Sequence, residues 1–181
     1  MIFRADRRQQ LPKTKYDFSK IRLLVMDVDG TLTDGKIYIG EQGESMKAFS
    51  AKDGLGIKLL TKHNIMPAII TGRTSDIVRH RCQEIGIHVL YQGVTDKAAK
   101  LKELMKKYGY SKEEVAYIGD DMNDLSAINA SGISFAPADC GSQLIPFIDI
   151  LLTKKAGESP VREAIDMILE GQLTLDDYEG L

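Results

Sequence analysis

The stretch Asp27-Val28-Asp29-Gly30-Thr31-Leu32-Thr33-Asp34-Gly35 crowds three carboxylates into a short segment. It follows the run Ile21 to Met26, rich in Ile, Leu and Val, which reads as a buried strand. Asp27 therefore stands at the carboxyl end of a strand, and Gly30 lets the chain turn away. In an open α/β sheet, ligands bind at that place. Carboxylates this close repel one another unless a cation or proton intervenes. The residue types and their spacing suggest a metal-assisted site with a carboxylate nucleophile.

Other candidate strand ends carry complementary groups. Thr71-Gly72-Arg73 follows the run Met66 to Thr71 and offers a hydroxyl, a glycine amide and a cation, a set suited to a phosphoryl group. Lys97 opens a helix after Thr95-Asp96, where a point charge can neutralise a carboxylate and a phosphoryl oxygen together. Gly119-Asp120-Asp121-Met122-Asn123-Asp124 follows Val115 to Ile118, and its hard oxygens suit a divalent cation. Each cluster has a plainer explanation alone. Asp-Gly makes turns, Asp120-Asp121 can cap a helix, and a lysine early in a helix is usually solvated. Those explanations would need separate strand ends to acquire matching chemistry independently.

The elements that must position these groups alternate between strand and helix. A hairpin spans Lys36 to Gly40 and Glu44 to Ser50. Helical spacing is read over Leu55 to Lys62, Ser75 to Ile85, Asp96 to Tyr108, Asn123 to Ala130 and Val161 to Leu169. Short strands are read at His88 to Tyr91, Ile133 to Phe135 and Ile148 to Leu152. This order predicts an α/β fold with a doubly wound parallel sheet, Rossmann-like. Residues 20–170 read as one domain, with the hairpin at 35–50 as its only insertion, too small for a cap domain. Residues 1–19 read as a mobile basic tail and 171–181 as a loose one.

Composition narrows the class. Hydrophobic residues are 43% and charged residues 28% of a 181-residue chain, enough for one well-packed domain. Basic and acidic side chains number 24 and 26, so net charge gives no reason to expect nucleic acid or a membrane as partner. No apolar stretch suits a signal peptide or a membrane span. Cys82 and Cys140 form no CxxC pair, which points to a reducing cytoplasm.

The four clusters, in their order and spacing, resemble the four motifs of the haloacid dehalogenase superfamily of phosphatases. That resemblance implies roles. Asp27 would take the phosphoryl group as an aspartyl-phosphate. Asp29 would protonate the leaving alcohol and then activate water, its proton held by burial and carboxylate neighbours. Magnesium would be held by Asp27, Asp29 through its backbone carbonyl, and Asp120. Thr71 and Lys97 would orient the phosphoryl group, with Asp121 and Asp124 in support behind them.

The hairpin, Lys47-Ala48-Phe49-Ser50-Ala51-Lys52-Asp53-Gly54-Leu55-Gly56-Ile57, Ile70-Thr71-Gly72-Arg73 and Val161-Arg162-Glu163 are similar to the 3-deoxy-D-manno-octulosonate 8-phosphate phosphatase branch. The likeness runs from about residue 20 to 170. It implies hydrolysis of a 3-deoxy-2-ulosonate phosphate for lipopolysaccharide precursor synthesis. It also implies a homotetramer in which hairpins associate and a neighbouring subunit closes each site. Substrate contacts would come from Asp29, Ser50, Ala51, Lys52, Asp53, Gly54, Lys58, Gly72, Arg73, Arg81 and Lys97. One departure stands out. A Gly-Gly-x-Gly-Ala stretch common in the branch is replaced by Ala156-Gly157-Glu158-Ser159-Pro160. A nine-carbon keto-sugar acid phosphate is therefore the competing substrate. From another class, a non-catalytic assembly subunit is the competing role.

Overall fold

The computed structural model describes residues 16–180. Its centre is a six-stranded sheet in the order β5-β4-β1-β6-β7-β8. The strands are β1 (Leu23–Met26), β4 (Met66–Ile70), β5 (Val89–Tyr91), β6 (Val115–Ile118), β7 (Ile133–Ala136) and β8 (Ile150–Leu151). All five pairings within it are parallel. Helices α1 (Ala51–Lys62), α2 (Asp76–Ile85) and α5 (Pro160–Ile168) cover one face, and α3 (Lys97–Tyr108) and α4 (Leu125–Ala130) cover the other.

The period-two alternation of a strand explains how one short segment feeds both layers. In β1, Leu24 and Met26 join the core beneath α1, α2 and α5. Leu23 and Val25 join the core beneath α3 and α4. In β6 the same division sends Ala116 and Ile118 one way and Val115 and Tyr117 the other. Burial on both faces is why β1 reads as a continuous apolar run rather than an alternating one. The chain moves from β1 outward to β4 and β5, then returns across β1 to β6. The connections thus part at the carboxyl ends of β1 and β6, which opens a crevice there. The expected doubly wound sheet is what the chain forms.

The hairpin, β2 (Tyr38–Gly40) and β3 (Gly43–Met46), is a separate antiparallel pair. It is shorter than expected, and a bulge lies between Tyr38 and Ile39. Helix α1 starts four residues before its expected origin. The Ser50 hydroxyl caps it, accepting from the Lys52 and Asp53 amides at 3.1 and 3.4 Å. Gly54 and Gly56 weaken the helical signal in that first stretch. They are there for space: a Cβ at Gly54 would overlap the Arg81 guanidinium, and one at Gly56 would crowd Arg162. The helix expected over Asn123 to Ala130 is broken into a 3-10 turn, Met122–Asp124, and α4.

Residues 16–20 and 171–180 are more ordered than their composition suggests. Most of the expected N-terminal tail, residues 1–15, lies outside the described residues. Just after it, Phe18 stacks on Phe135 with centroids 6.1 Å apart. Residues 171–180 are not a loose tail. They carry a 3-10 turn, Asp176–Tyr178, and Leu173 packs on the core. Lys62 donates to the Asp177 and Glu179 carbonyls at 2.7 and 2.8 Å, and His63 pairs with Asp177 at 3.0 Å.

Candidate active site

Asp27 leaves β1 with its amide still bonded to the Ile118 carbonyl of β6 at 3.0 Å. The next turn is tight: the amides of Thr31, Leu32 and Thr33 all point to the Val28 carbonyl, at 3.2, 2.9 and 3.0 Å. Gly30 makes the turn possible in two ways. Its φ is +86°, and a Cβ there would overlap the Asp120 carboxylate. The β1 and β6 strand ends are therefore shaped to bring Asp27 and Asp120 together.

Lys97, from the first turn of α3, sits between two carboxylates. Its Nζ lies 3.1 Å from Asp27 Oδ2 and 2.6 Å from Asp124 Oδ1. The Tyr117 hydroxyl donates to the same Asp124 oxygen at 2.7 Å, and the Asp120 amide donates to Asp124 Oδ2 at 3.1 Å. Asp124 is thus committed to donors on both oxygens and holds Lys97 and the β6 turn in place. Gly119 is glycine because a Cβ there would overlap the Asp124 carboxylate. Asp121 caps the 3-10 turn through the Met122 amide at 2.7 Å and is exposed.

Asp27, Asp120 and Asp124 each offer an oxygen within 4.8 Å of the others. Asp27 Oδ1 is buried and has no hydrogen-bond partner. A buried carboxylate oxygen without a partner is costly unless something binds it. Among the described residues, the Asp120 carboxylate accepts only a long bond from the Thr31 hydroxyl, at 3.4 Å. Two underused carboxylates with oxygen-only chemistry fit a hard divalent cation such as magnesium. Burial, with Asp124 nearby and Lys97 opposing, raises the Asp27 carboxyl to about 6. Burial, then the charges of Asp27 and Asp124, raises Asp120 to about 7. Burial alone would lower Lys97, but Asp27 and Asp124 outweigh it, so the ammonium is held charged.

Asp29 faces a different neighbourhood from the expected one. Cations surround it, not carboxylates. Lys47 Nζ pairs with Asp29 Oδ1, and Arg73 Nε lies 3.6 Å from Oδ2. Both cations also reach Glu44 Oε1, Lys47 at 3.0 Å and Arg73 at 3.4 Å. The Ser75 hydroxyl, at the N-cap of α2, donates to Glu44 Oε2. Burial would raise the Glu44 carboxyl, but Ser75, Lys47 and Arg73 together hold it below the usual range. Thr71 is buried where β4 ends, its amide bonded to the Tyr91 carbonyl at 3.0 Å, and Gly72 and Arg73 are exposed beyond it.

The remaining substrate candidates are placed elsewhere. Ala51, Gly54, Lys58 and Arg81 line a different surface pocket, with Glu84 beside them. Arg81 is held by the Ser50 carbonyl at 3.1 Å and by Glu84 at 2.9 Å. Lys52 lines a groove with Glu158 and Arg162. Asp53 is 1% exposed: its Oδ1 accepts from the Arg162 amide at 2.6 Å, and its Oδ2 is buried without a partner beside Arg81 in a small pocket. It caps α5 because Ser159, the residue in position to do so, has φ +74° and turns its hydroxyl to Ser50 at 2.7 Å. Burial raises the Asp53 carboxyl to about 6, against the opposing Arg162 amide bond. The unusual 156–160 stretch packs on this chain's own first motif: Gly157 adjoins Asp34, and the Ala156 amide donates to Asp139 at 2.8 Å.

Sequence reasoning missed Lys47, Glu44 and Tyr117. Only Tyr117 carried a signal, since a tyrosine inside a buried strand needs a partner for its hydroxyl.

Comparison with known proteins agrees with this geometry. The family model for haloacid dehalogenase-like hydrolases matches residues 86–165. The 3-deoxy-D-manno-octulosonate 8-phosphate phosphatase KdsC of Salmonella typhi is 44% identical over 160 residues, covering 88% of this chain and 85% of that one. The chain belongs to the 3-deoxy-D-manno-octulosonate 8-phosphate phosphatase family. Membership in that family, together with the hydrolase family match, makes it a phosphoric monoester hydrolase. Two solved members share its fold. The cobalt-bound enzyme of Haemophilus influenzae is 41% identical, with TM-score 0.82, covering 84% of this chain and 89% of that one. The enzyme of Moraxella catarrhalis, in complex with magnesium, phosphate and KDO, is 41% identical, with TM-score 0.81, covering 84% and 87%. Among the described residues, no helix of this family member is long and apolar enough to cross a membrane.

Proposed function

We propose that this chain is a magnesium-dependent phosphatase that hydrolyses 3-deoxy-D-manno-octulosonate 8-phosphate to the free sugar acid and phosphate. The observation that carries the reading is the buried Asp27 carboxylate, whose Oδ2 meets Lys97 and whose Oδ1 has no partner, with Asp120 close by. The named activity of the Salmonella relative and the ligands of the Moraxella structure support the substrate.

In this reading an Asp27 oxygen attacks phosphorus. The bond from phosphorus to the sugar oxygen breaks as the bond to Asp27 forms. Asp29 gives its proton to the departing oxygen. Water then attacks the aspartyl-phosphate, passes a proton to Asp29, and restores Asp27 with release of phosphate. Lys97 lowers the repulsion between the Asp27 carboxylate and an incoming phosphate dianion, and Asp124 and Tyr117 keep that lysine in place. Thr71 and Gly72 receive the phosphoryl oxygens. Magnesium, held by Asp27, Asp120 and the Asp29 carbonyl, would supply the remaining charge neutralisation. Arg73, with its side chain 48% exposed beside Asp29, is a cation available to the carboxylate end of the substrate.

The same reading includes a homotetramer. Ile39 and Met46 of the hairpin are 68% and 53% exposed, a large apolar display for so short an element. Ser50, Ala51, Lys52, Lys58 and Arg81 would serve a site shared between subunits. Cytoplasmic residence is supported by two buried, free thiols.

Phosphate release with magnesium tests the reading, comparing the octulosonate phosphate with a nine-carbon keto-sugar acid phosphate and simple sugar phosphates. The eight-carbon substrate should give the highest kcat/KM, and Asp27→Asn should abolish release. Preference for the nine-carbon acid overturns the substrate. No release from any of them by folded, metal-supplied protein overturns the activity.

A further inference from the structure

Asp29, Lys47, Glu44 and Arg73 close a ring of alternating charge beside the nucleophile. We infer that Lys47, braced by Glu44, is a positioning residue that fixes the Asp29 carboxylate for proton transfer. The inference rests on the reading of Asp29 as the acid and base of the reaction.

Lys47 comes from a hairpin that is otherwise largely exposed, yet its side chain is only 1% exposed. Burying an ammonium is costly unless its partners are well placed. Here they are Asp29 and Glu44, one on each side. Arg73 holds the other Asp29 oxygen from farther away, at 3.6 Å, and its side chain is 48% exposed. Lys47 is therefore the firmer of the two constraints. Glu44 is itself fixed at its second oxygen by Ser75, at the start of α2. The chain of contacts runs from the body of the fold through Ser75, Glu44 and Lys47 to Asp29. With both oxygens held, the carboxylate cannot rotate freely. A proton donor gains most of its value from such fixed geometry.

A ring that only pinned the hairpin to the domain would act alike on every substrate. A positioning role depends on the leaving group. An alkyl phosphate leaves as an alkoxide and needs the Asp29 proton. p-Nitrophenyl phosphate leaves as a stable phenolate and does not. With the magnesium-loaded enzyme, Lys47→Met should lower kcat on the octulosonate phosphate about 100-fold, with KM changed less than about threefold. The p-nitrophenolate burst, which reports transfer to Asp27 alone, should slow less than about fivefold. Lys47→Arg should recover about tenfold of the lost kcat. Glu44→Gln, which keeps the hairpin's shape, should lose about tenfold in the same leaving-group-dependent way. Equal losses on both substrates, a change in KM alone, or no change overturns the inference. If the wild-type enzyme ignores the octulosonate phosphate but cleaves another alkyl phosphate, the proposed substrate fails. The same comparison on that alkyl phosphate still decides the role of Lys47.

Discussion

Lowering the pH should weaken magnesium binding steeply, because metal and proton compete for the same oxygens. Asp120 is raised to about 7 by burial and the charges of Asp27 and Asp124, and Asp27 to about 6 by burial and Asp124, and both must be ionised to bind a cation. At pH 8 the two are about 0.9 and 0.99 ionised. At pH 6 they are about 0.1 and 0.5 ionised. The product falls about 20-fold, equivalent to about 1.8 kcal/mol of binding free energy. The same numbers fix the proton count. Binding should release about 0.6 proton at pH 7, about 1.4 at pH 6 and about 0.1 at pH 8. Calorimetric titration of magnesium in buffers of different ionisation enthalpy reads both quantities. Asp120→Asn should bind weakly and release far fewer protons. An affinity that is flat from pH 6 to 8, with no proton release at pH 6, would refute the proposal that Asp27 and Asp120 share the cation.

Three further outcomes follow from contacts already described. Gly30→Ala should displace the Asp120 carboxylate and cost about 10–100-fold in magnesium affinity, with about 1–2 kcal/mol of stability lost to the positive φ. Metal titration and thermal unfolding measure the two effects separately. Lys97→Met should leave Asp27 and Asp124 buried without a cation and cost about 3–5 kcal/mol at pH 8 in urea unfolding. That cost should shrink as pH falls, starting above pH 6, because loss of Lys97 removes a charge that holds the Asp27 carboxyl down. Asp53 has a folded pKa above its unfolded one, so its contribution is full below about pH 4 and lost as pH rises through about 6. The stability of Asp53→Asn, measured against the wild type, should therefore improve by about 2–3 kcal/mol between pH 4 and pH 8. A pH-independent difference would show that Asp53 titrates normally in the fold.

The sheet and the polar clusters at its strand ends were legible because their signals are local. Burial on two faces writes β1 and β6 as continuous apolar runs. The chemistry must then appear in the next few residues, where Asp27, Thr71 and Asp120 stand. Helix starts were less legible where packing overrode propensity. Gly54 and Gly56 argue against a helix, yet α1 needs them so that Arg81 and Arg162 can approach. Asp53 shows the same difficulty at a single side chain. The family resemblance implies a substrate contact there, whereas its bond to the start of α5 joins it to a residue over a hundred positions later in the chain.

Lys47 shows why a catalytic neighbourhood is harder to read than a catalytic motif. Nothing in its sequence surroundings distinguishes it from Lys36 or Lys52, which are exposed. Its burial arises from where the hairpin folds, and that depends on Glu44 meeting Ser75 of α2. Removing either contact leaves every motif residue unchanged in identity while freeing the Asp29 carboxylate, to which we assign the proton transfer. The hairpin therefore has two distinct surfaces with different duties. Ile39 and Met46 face outward, available to another subunit, while Glu44 and Lys47 reach inward to Asp29. An element with no place in the main sheet can in this way join assembly to catalysis. Ile39→Asp should expose whether it does: it alters only the outward surface, so loss of kcat together with loss of the proposed tetramer, by light scattering, would tie the two surfaces together. A monomer with full kcat would separate them.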